Sequence, residues 1–257
     1  MNRINQLFKD KQNSILSIYF TAGHPEMGTT KLIIEELEKN EVDMIEIGIP
    51  FSDPLADGPV IQQSSQKALE NGMTLKKLLA EIKDIRHKVK IPLLLMGYFN
   101  TVFQYGVEAF CSDIKSIGID GVILPDMPIK VYEAKYQKIF EKYGIIPVFL
   151  ITPETSEERI RKIDKLSKGF IYMVSSSSTT GIKNKLDEKS IVYFKRIKEM
   201  NLKNQLIAGF GISNKETFDE ICKYANGGII GSAFVKAIET GENLLSQIKR
   251  FIATIKY

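Results

Sequence analysis

Short apolar runs recur along the chain at 15–20, 42–47, 91–96, 121–124, 146–150, 170–174, 205–208 and 228–230. Between them lie stretches whose apolar residues return every three or four positions, at 29–39, 75–89, 107–117, 129–143, 157–166, 188–200 and 215–224, with a last one from 242 to the end. A short run of consecutive apolar residues reads as a strand covered on both faces, and the longer period reads as a helix with one face buried. The order is strand then helix throughout, with no Gly/Ser-rich or Pro-rich linker between them. Eight parallel strands, each followed by a helix, predict a single α/β domain over residues 1–257, a (β/α)8 TIM barrel of ordinary size. Residues 4–8, INQLF, predict an extra N-terminal helix before the first strand, placed to cover the barrel floor. The competing arrangement is an open doubly wound sheet. It would carry a G-x-G-x-x-G turn after its first strand, and here that turn reads Thr21-Ala22-Gly23-His24-Pro25.

Composition narrows the classes of function. The chain has 35 basic and 31 acidic residues, a net charge of +4, and its lysines are spread along helix-like segments such as Lys76-Lys77 and Lys195-Arg196-Ile197-Lys198. That pattern is a solvated face and argues against a nucleic-acid surface. Cys111 and Cys222 are far apart and neither belongs to a C-x-x-C pair, so neither a disulfide framework nor a zinc site is signalled. The N-terminal stretch MNRINQLFKDKQNS lacks an apolar signal core, and no apolar run is long enough to span a bilayer, so a soluble cytoplasmic protein is expected.

The chemistry concentrates in EIGIPFSDPLADGP, from Glu46 to Pro59. Val42-Asp43-Met44-Ile45 reads as a buried strand that Glu46 closes, and Asp57 rides the Gly- and Pro-rich turn that follows. Flanked by Ile45 and Ile47, the Glu46 carboxyl is expected to be poorly solvated and its pKa raised toward the range useful for proton transfer. Asp57, in a more polar loop, is expected to stay ionised. Two carboxyls in contrasting environments suit an acid/base pair with divided roles. The plainer alternative is a salt-bridged strand Glu and an Asp-Gly turn.

In such barrels the strand C-termini carry the site. There the sequence puts Tyr19 and Thr21, Glu46, Tyr98 and Asn100, Tyr172, and then Gly209-Phe210-Gly211. GFGIS at 209–213 and GSA at 231–233 set glycines and a Ser just before helices, where backbone N–H groups and the helix dipole favour an anion. Gly231, Ser232 and Gly211 are thus expected to cradle a phosphate. Gly181, with Thr180 beside it, is expected to add a contact from the Ser-rich loop 175–181, which also reads as a mobile lid. His24 and His87 read as turn and helix-surface residues, and Tyr132, Tyr136 and Tyr143 as packing.

FTAGHP from Phe20, EIGIPFSDPLADGP, Leu94-Leu95-Met96, the segment around Asp126, GFGIS and GSAFVK together resemble the α subunit of tryptophan synthase over nearly the whole chain. The resemblance implies reversible cleavage of indole-3-glycerol phosphate to indole and glyceraldehyde 3-phosphate. It implies Glu46 and Asp57 as the catalytic pair with Tyr172 close by, phosphate on Gly181, Gly211, Gly231 and Ser232, and an indole pocket of Tyr19, Tyr98 and Phe210. It implies no cofactor in this chain, a β subunit carrying pyridoxal phosphate as partner in an α2β2 complex, and a loop facing that partner in which Asp53 is either an interface contact or a turn-former. Two departures from the family pattern stand out: Ser176 and Ser178 occupy places in the sixth loop where a basic residue and a Gly are common, and Tyr19 stands where Phe is common. A stand-alone lyase and a non-catalytic regulatory subunit of the same fold are the other readings.

Overall fold

A computed structural model describes residues 1–55, 57–175, 188–209, 211–239 and 243–257. Its strands are β1 (Ile15–Thr21), β2 (Met44–Gly48), β3 (Leu93–Met96), β4 (Gly121–Ile123), β5 (Ile146–Ile151), β6 (Phe170–Val174), β7 (Gln205–Gly209) and β8 (Gly227–Ile230). Each pairs in parallel with the next. β8 returns to β1 with Ile230 opposite Ile18, which closes the barrel.

The two-residue period of a strand sorts the side chains into two cores. On β1, Leu16, Ile18 and Phe20 join the layer between sheet and helices, whereas Ile15 and Tyr19 join the barrel interior. The interior also takes Met44, Leu94, Ile123, Ile146, Val148, Phe170, Tyr172, Ile207 and Ile229. Helices cover the outside with one apolar stripe each; Thr30–Lys39, for example, buries Thr30, Ile33, Ile34 and Leu37.

The first helix, Arg3–Asp10, is capped by Asn2, whose side chain accepts from the Ile4 N–H. Ile4 and Phe8 enter the interior cluster, and the Phe8 ring lies 5.8 Å from that of Phe170. Burying two such side chains contributes about 1.5–3 kcal/mol each. Asn2 donates to Asp120 O and Gly144 O, and Arg3 pairs with Asp120 at 3.0 Å. The helix is therefore tied to loops on the N-terminal side of β4 and β5, and it closes the floor as expected.

Among the described residues the helices depart from the sequence pattern in five places. The stretch 75–89 is a helix only over Leu75–Glu81, followed by the 3-10 turn Ile85–His87. There Arg86 turns inward to donate to Gly118 O, Val89 O, Ile91 O and the Asp120 carboxylate. The stretch 129–143 is broken by a π-helical turn at Tyr132–Tyr136, which carries the buried Tyr132 ring against Phe140 and Phe149. Three helices among the described residues have no counterpart in those stretches, the short Ser232–Ala237 being one. Pro59–Glu70 starts on Pro59 with Gly58 as its N-cap, so a residue pair that reads as a breaker is a helix start. Phe99–Tyr105 is only seven residues long and exposes Phe103 beside Asn100 and Gln104, so its apolar residues do not fall on one face.

Candidate active site

Glu46 lies in the middle of β2, not at its end, and points inward with Met44 and Gly48. It is fully buried, and its carboxyl is pushed up to about 8 by that burial, partly opposed by a hydrogen bond from Ser17. The cause differs from the one expected. Ile45 and Ile47 face the helices, so the apolar surroundings come from the interior layers of the barrel. Ser17, from the adjoining strand, donates its hydroxyl to Glu46 Oε1 at 3.1 Å.

Two tyrosines sit inside the barrel, each over a glycine of the next strand. A Cβ at Gly48 would lie 2.2 Å from the Tyr19 hydroxyl, and a Cβ at Gly209 would lie 2.1 Å from that of Tyr172. Glycine is what lets either ring come this close to the neighbouring strand. Burial raises both phenols, Tyr172 well above the usual tyrosine range, with the charges of Glu46 and Asp57 adding to it, so both remain neutral hydroxyls. Tyr19's hydroxyl, which a Phe at this place would lack, lies 3.5 Å from Thr21 Oγ1, which is itself 2.7 Å from Ser64 Oγ on the helix Pro59–Glu70.

Asp57 precedes the N-terminus of that helix, where the dipole favours a carboxylate. Tyr98 donates its hydroxyl to Asp57 Oδ2 at 3.2 Å, and Phe51 stacks on Tyr98 at 4.7 Å. The surroundings are less polar than expected: burial pushes Asp57 up to about 6, and the Tyr98 hydrogen bond works against it. Even so, the carboxyl is mostly ionised at neutral pH.

Tyr19, Asp57 and Tyr98 line one cavity of about 630 Å3, together with apolar walls from Ile49, Phe51 and Met96. It extends across the mouth to Thr152, Glu154 and Arg159 after β5. Glu46 and Tyr172 lie in the barrel interior rather than among the residues of this lining. Gly211 follows β7 with φ +80°, and Gly231 and Ser232 follow β8; none of the three lines this cavity. Tyr19 joins the two regions, because a Cβ at Gly231 would be 3.4 Å from its ring. Ser232 opens the helix Ser232–Ala237, whose N-cap is Gly231, so its hydroxyl does not serve as the cap.

Thr180, Gly181 and Phe210, and with them Ser176 and Ser178, lie outside the described residues. His24 is buried 3.8 Å from Glu239, and burial with Lys67 nearby pushes its imidazole down to about 4. Among the described residues no three His, Cys, Asp or Glu side chains gather as a metal site, and no helix is long and apolar enough to cross a membrane. Ser17, Ser64 and Phe51 escape a reading by motif. For Ser17 the signal is the alternation Ile15, Ser17, Tyr19, Thr21, which puts polar groups on the inward face of an otherwise apolar strand.

The family model for the tryptophan synthase alpha chain matches residues 5–256. A tryptophan synthase alpha chain from Flavobacterium psychrophilum is 57% identical over 255 residues, covering 99% of this chain and 100% of that one. Among solved structures, a tryptophan synthase alpha chain from Legionella pneumophila superposes with a TM-score of 0.88 at 30% identity, covering 99% of this chain and 96% of the other. A mutant alpha subunit from the hyperthermophile Pyrococcus furiosus gives 0.86 at 34% identity, covering 95% and 98%. With a buried Glu on β2, an Asp at the mouth and this likeness from end to end, the chain belongs to the tryptophan synthase alpha chain family.

Proposed function

We infer that the chain performs its family's reaction, the retro-aldol cleavage of indole-3-glycerol phosphate to indole and glyceraldehyde 3-phosphate, and we assign the chemistry to Glu46 and Asp57. The carrying observation is the pair itself: one carboxyl fully buried and raised to about 8, the other at the mouth and raised only to about 6. At neutral pH the first holds a proton and the second has lost one.

Cleavage needs a proton on indole C3, a counter-charge for the positive ring nitrogen that results, and removal of the proton from the adjacent side-chain hydroxyl. Protonated Glu46 supplies the first and, once ionised, performs the last. Ionised Asp57 holds the ring N–H, with Tyr98 fixing its orientation. As the hydroxyl proton leaves, the aldehyde forms, the carbon–carbon bond breaks and its electron pair returns to the ring. Tyr172 lies beside this pair. Tyr19 and Tyr98 flank the ring together with Phe210, and Gly211, Gly231 and Ser232 bind the phosphate with Thr180 and Gly181.

A β subunit carrying pyridoxal phosphate is the proposed partner, in an α2β2 complex in the cytoplasm. Support comes from the loop that bears Asp57, whose Leu55 is 90% exposed and whose Asp53 is also exposed. The test is indole release from indole-3-glycerol phosphate by the purified chain and by Glu46→Gln. We predict a loss of at least about 10²-fold in the variant with substrate binding kept. Near wild-type turnover in Glu46→Gln would remove the assignment.

A further inference from the structure

Ser17 is a buried hydroxyl of the interior that the mechanism above leaves without a task. It is fully buried, on β1 between Ile15 and Tyr19, two residues before the position paired with Glu46. A hydroxyl there costs stability unless it is bonded, and an alanine would fill nearly the same space without that requirement. Its hydrogen bond goes to Glu46 Oε1 at 3.1 Å, while Oε2, equally buried, has no hydrogen-bond partner among the described residues. The two oxygens of the carboxyl are thus held in different states.

We propose that Ser17 is a positioning residue for the cleavage: its hydroxyl pins Oε1 as the carbonyl oxygen and leaves Oε2 as the one that exchanges the proton with substrate. The inference rests on the role assigned to Glu46. The Oε2–H bond breaks as the C3–H bond forms. The resulting carboxylate keeps the Ser17 hydrogen bond, now strengthened by charge, in an interior that otherwise offers little solvation. Oε2 then takes the proton from the substrate hydroxyl and returns to its starting state, with no net gain or loss of protons.

The titratable groups around Glu46 are few. Tyr19 faces it from β1 and Tyr172 from β6, both held neutral by burial, and Asp57 and Tyr98 stand at the mouth. The inward residues of β3, β4, β5, β7 and β8 that join the interior, Leu94, Met96, Ile123, Ile146, Val148, Leu150, Ile207 and Ile229, are apolar. Between the range of Asp57 and that of the phenols, Glu46 is therefore the group whose titration the rate should follow. Loss of the Ser17 donor removes a contact that favours its ionised form.

The experiment is the pH dependence of kcat/KM for Ser17→Ala, Ser17→Thr and wild type, with melting temperatures as a check on folding. Ser17→Ala should lower kcat by about 3- to 10-fold with KM little changed, as for the net loss of a typical hydrogen bond. Its alkaline limb should also move to higher pH. Ser17→Thr, which keeps the hydroxyl, should keep the limb in place. In a Glu46→Gln background Ser17→Ala should cost nothing further. An unmoved limb in Ser17→Ala, or an equal loss in the Glu46→Gln background, overturns the proposal and makes Ser17 a packing residue. If Glu46→Gln is itself active, the assignment of Glu46 fails first and that of Ser17 with it. Should Ser17→Ala fold poorly, Ser17→Cys, similar in size with a weaker donor, gives the same comparison of limbs.

Discussion

Burial moves both carboxyls in one direction but by different amounts, Glu46 to about 8 and Asp57 to about 6. Between those values Glu46 keeps its proton while Asp57 has released its own. We predict a bell-shaped kcat/KM that rises through about pH 6 and falls through about pH 8, read from indole release. A rate flat across both limbs would separate the chemistry from these two groups. The same shift bears on stability. Below the ordinary glutamate value of 4.5 the carboxyl is protonated whether folded or unfolded; above it, unfolding releases a proton, and the associated stability is lost as pH rises through about 8. Glu46→Gln removes this loss. We predict that urea unfolding shows the variant stabilised relative to wild type at pH 8 by a gain on the order of a few kcal/mol, and little changed at pH 4.5. A raised carboxyl on β2 was legible in the sequence, but its cause was not: neighbours in sequence alternate between two cores, so the residues that desolvate Glu46 come from other strands.

At the scale of elements, all eight strands were legible because each is a short apolar run with both faces covered, and their ends slipped by one or two residues where the chain turns. The helix Pro59–Glu70 was hidden because its start, Gly58-Pro59, has the composition of a turn, and only the chain beyond shows which it is. Ser17 was hidden because what identifies it is a partner on the next strand. The contact between Tyr172 and Gly209 is a dependence of this kind that the structure makes testable. Gly209→Ala should destabilise the barrel by about 1–3 kcal/mol, the usual cost of overpacking. The cost should shrink when Tyr172 is also cut to Ala, which a double-mutant cycle on urea midpoints reads directly. Additive effects of the two changes would mean that the ring yields freely. On the phosphate side, Gly211→Val or Ser232→Val should weaken glycerol phosphate binding and spare indole binding, measured by titrating each half-ligand alone. A joint fall in both affinities would mean a misplaced cradle or a damaged fold.

For the molecule as a whole, Asp57, to which we assign part of the chemistry, shares one loop with the exposed Leu55 and Asp53, so a partner seated on the mouth would touch that chemistry through a few residues. We predict weak cleavage by the chain alone, clear activation by a cognate β subunit, and a smaller activation in Asp53→Ala with basal turnover largely kept. Full turnover alone with no response to the β subunit would indicate a stand-alone lyase. The opposite end of the barrel is stoppered by Ile4 and Phe8. Among the described residues the barrel is thus shut at its floor, and its cavity lies at the end that carries the Asp57 loop. A partner seated on that end would stand where substrate enters and products leave, and would bear on the tempo of turnover as well as on affinity.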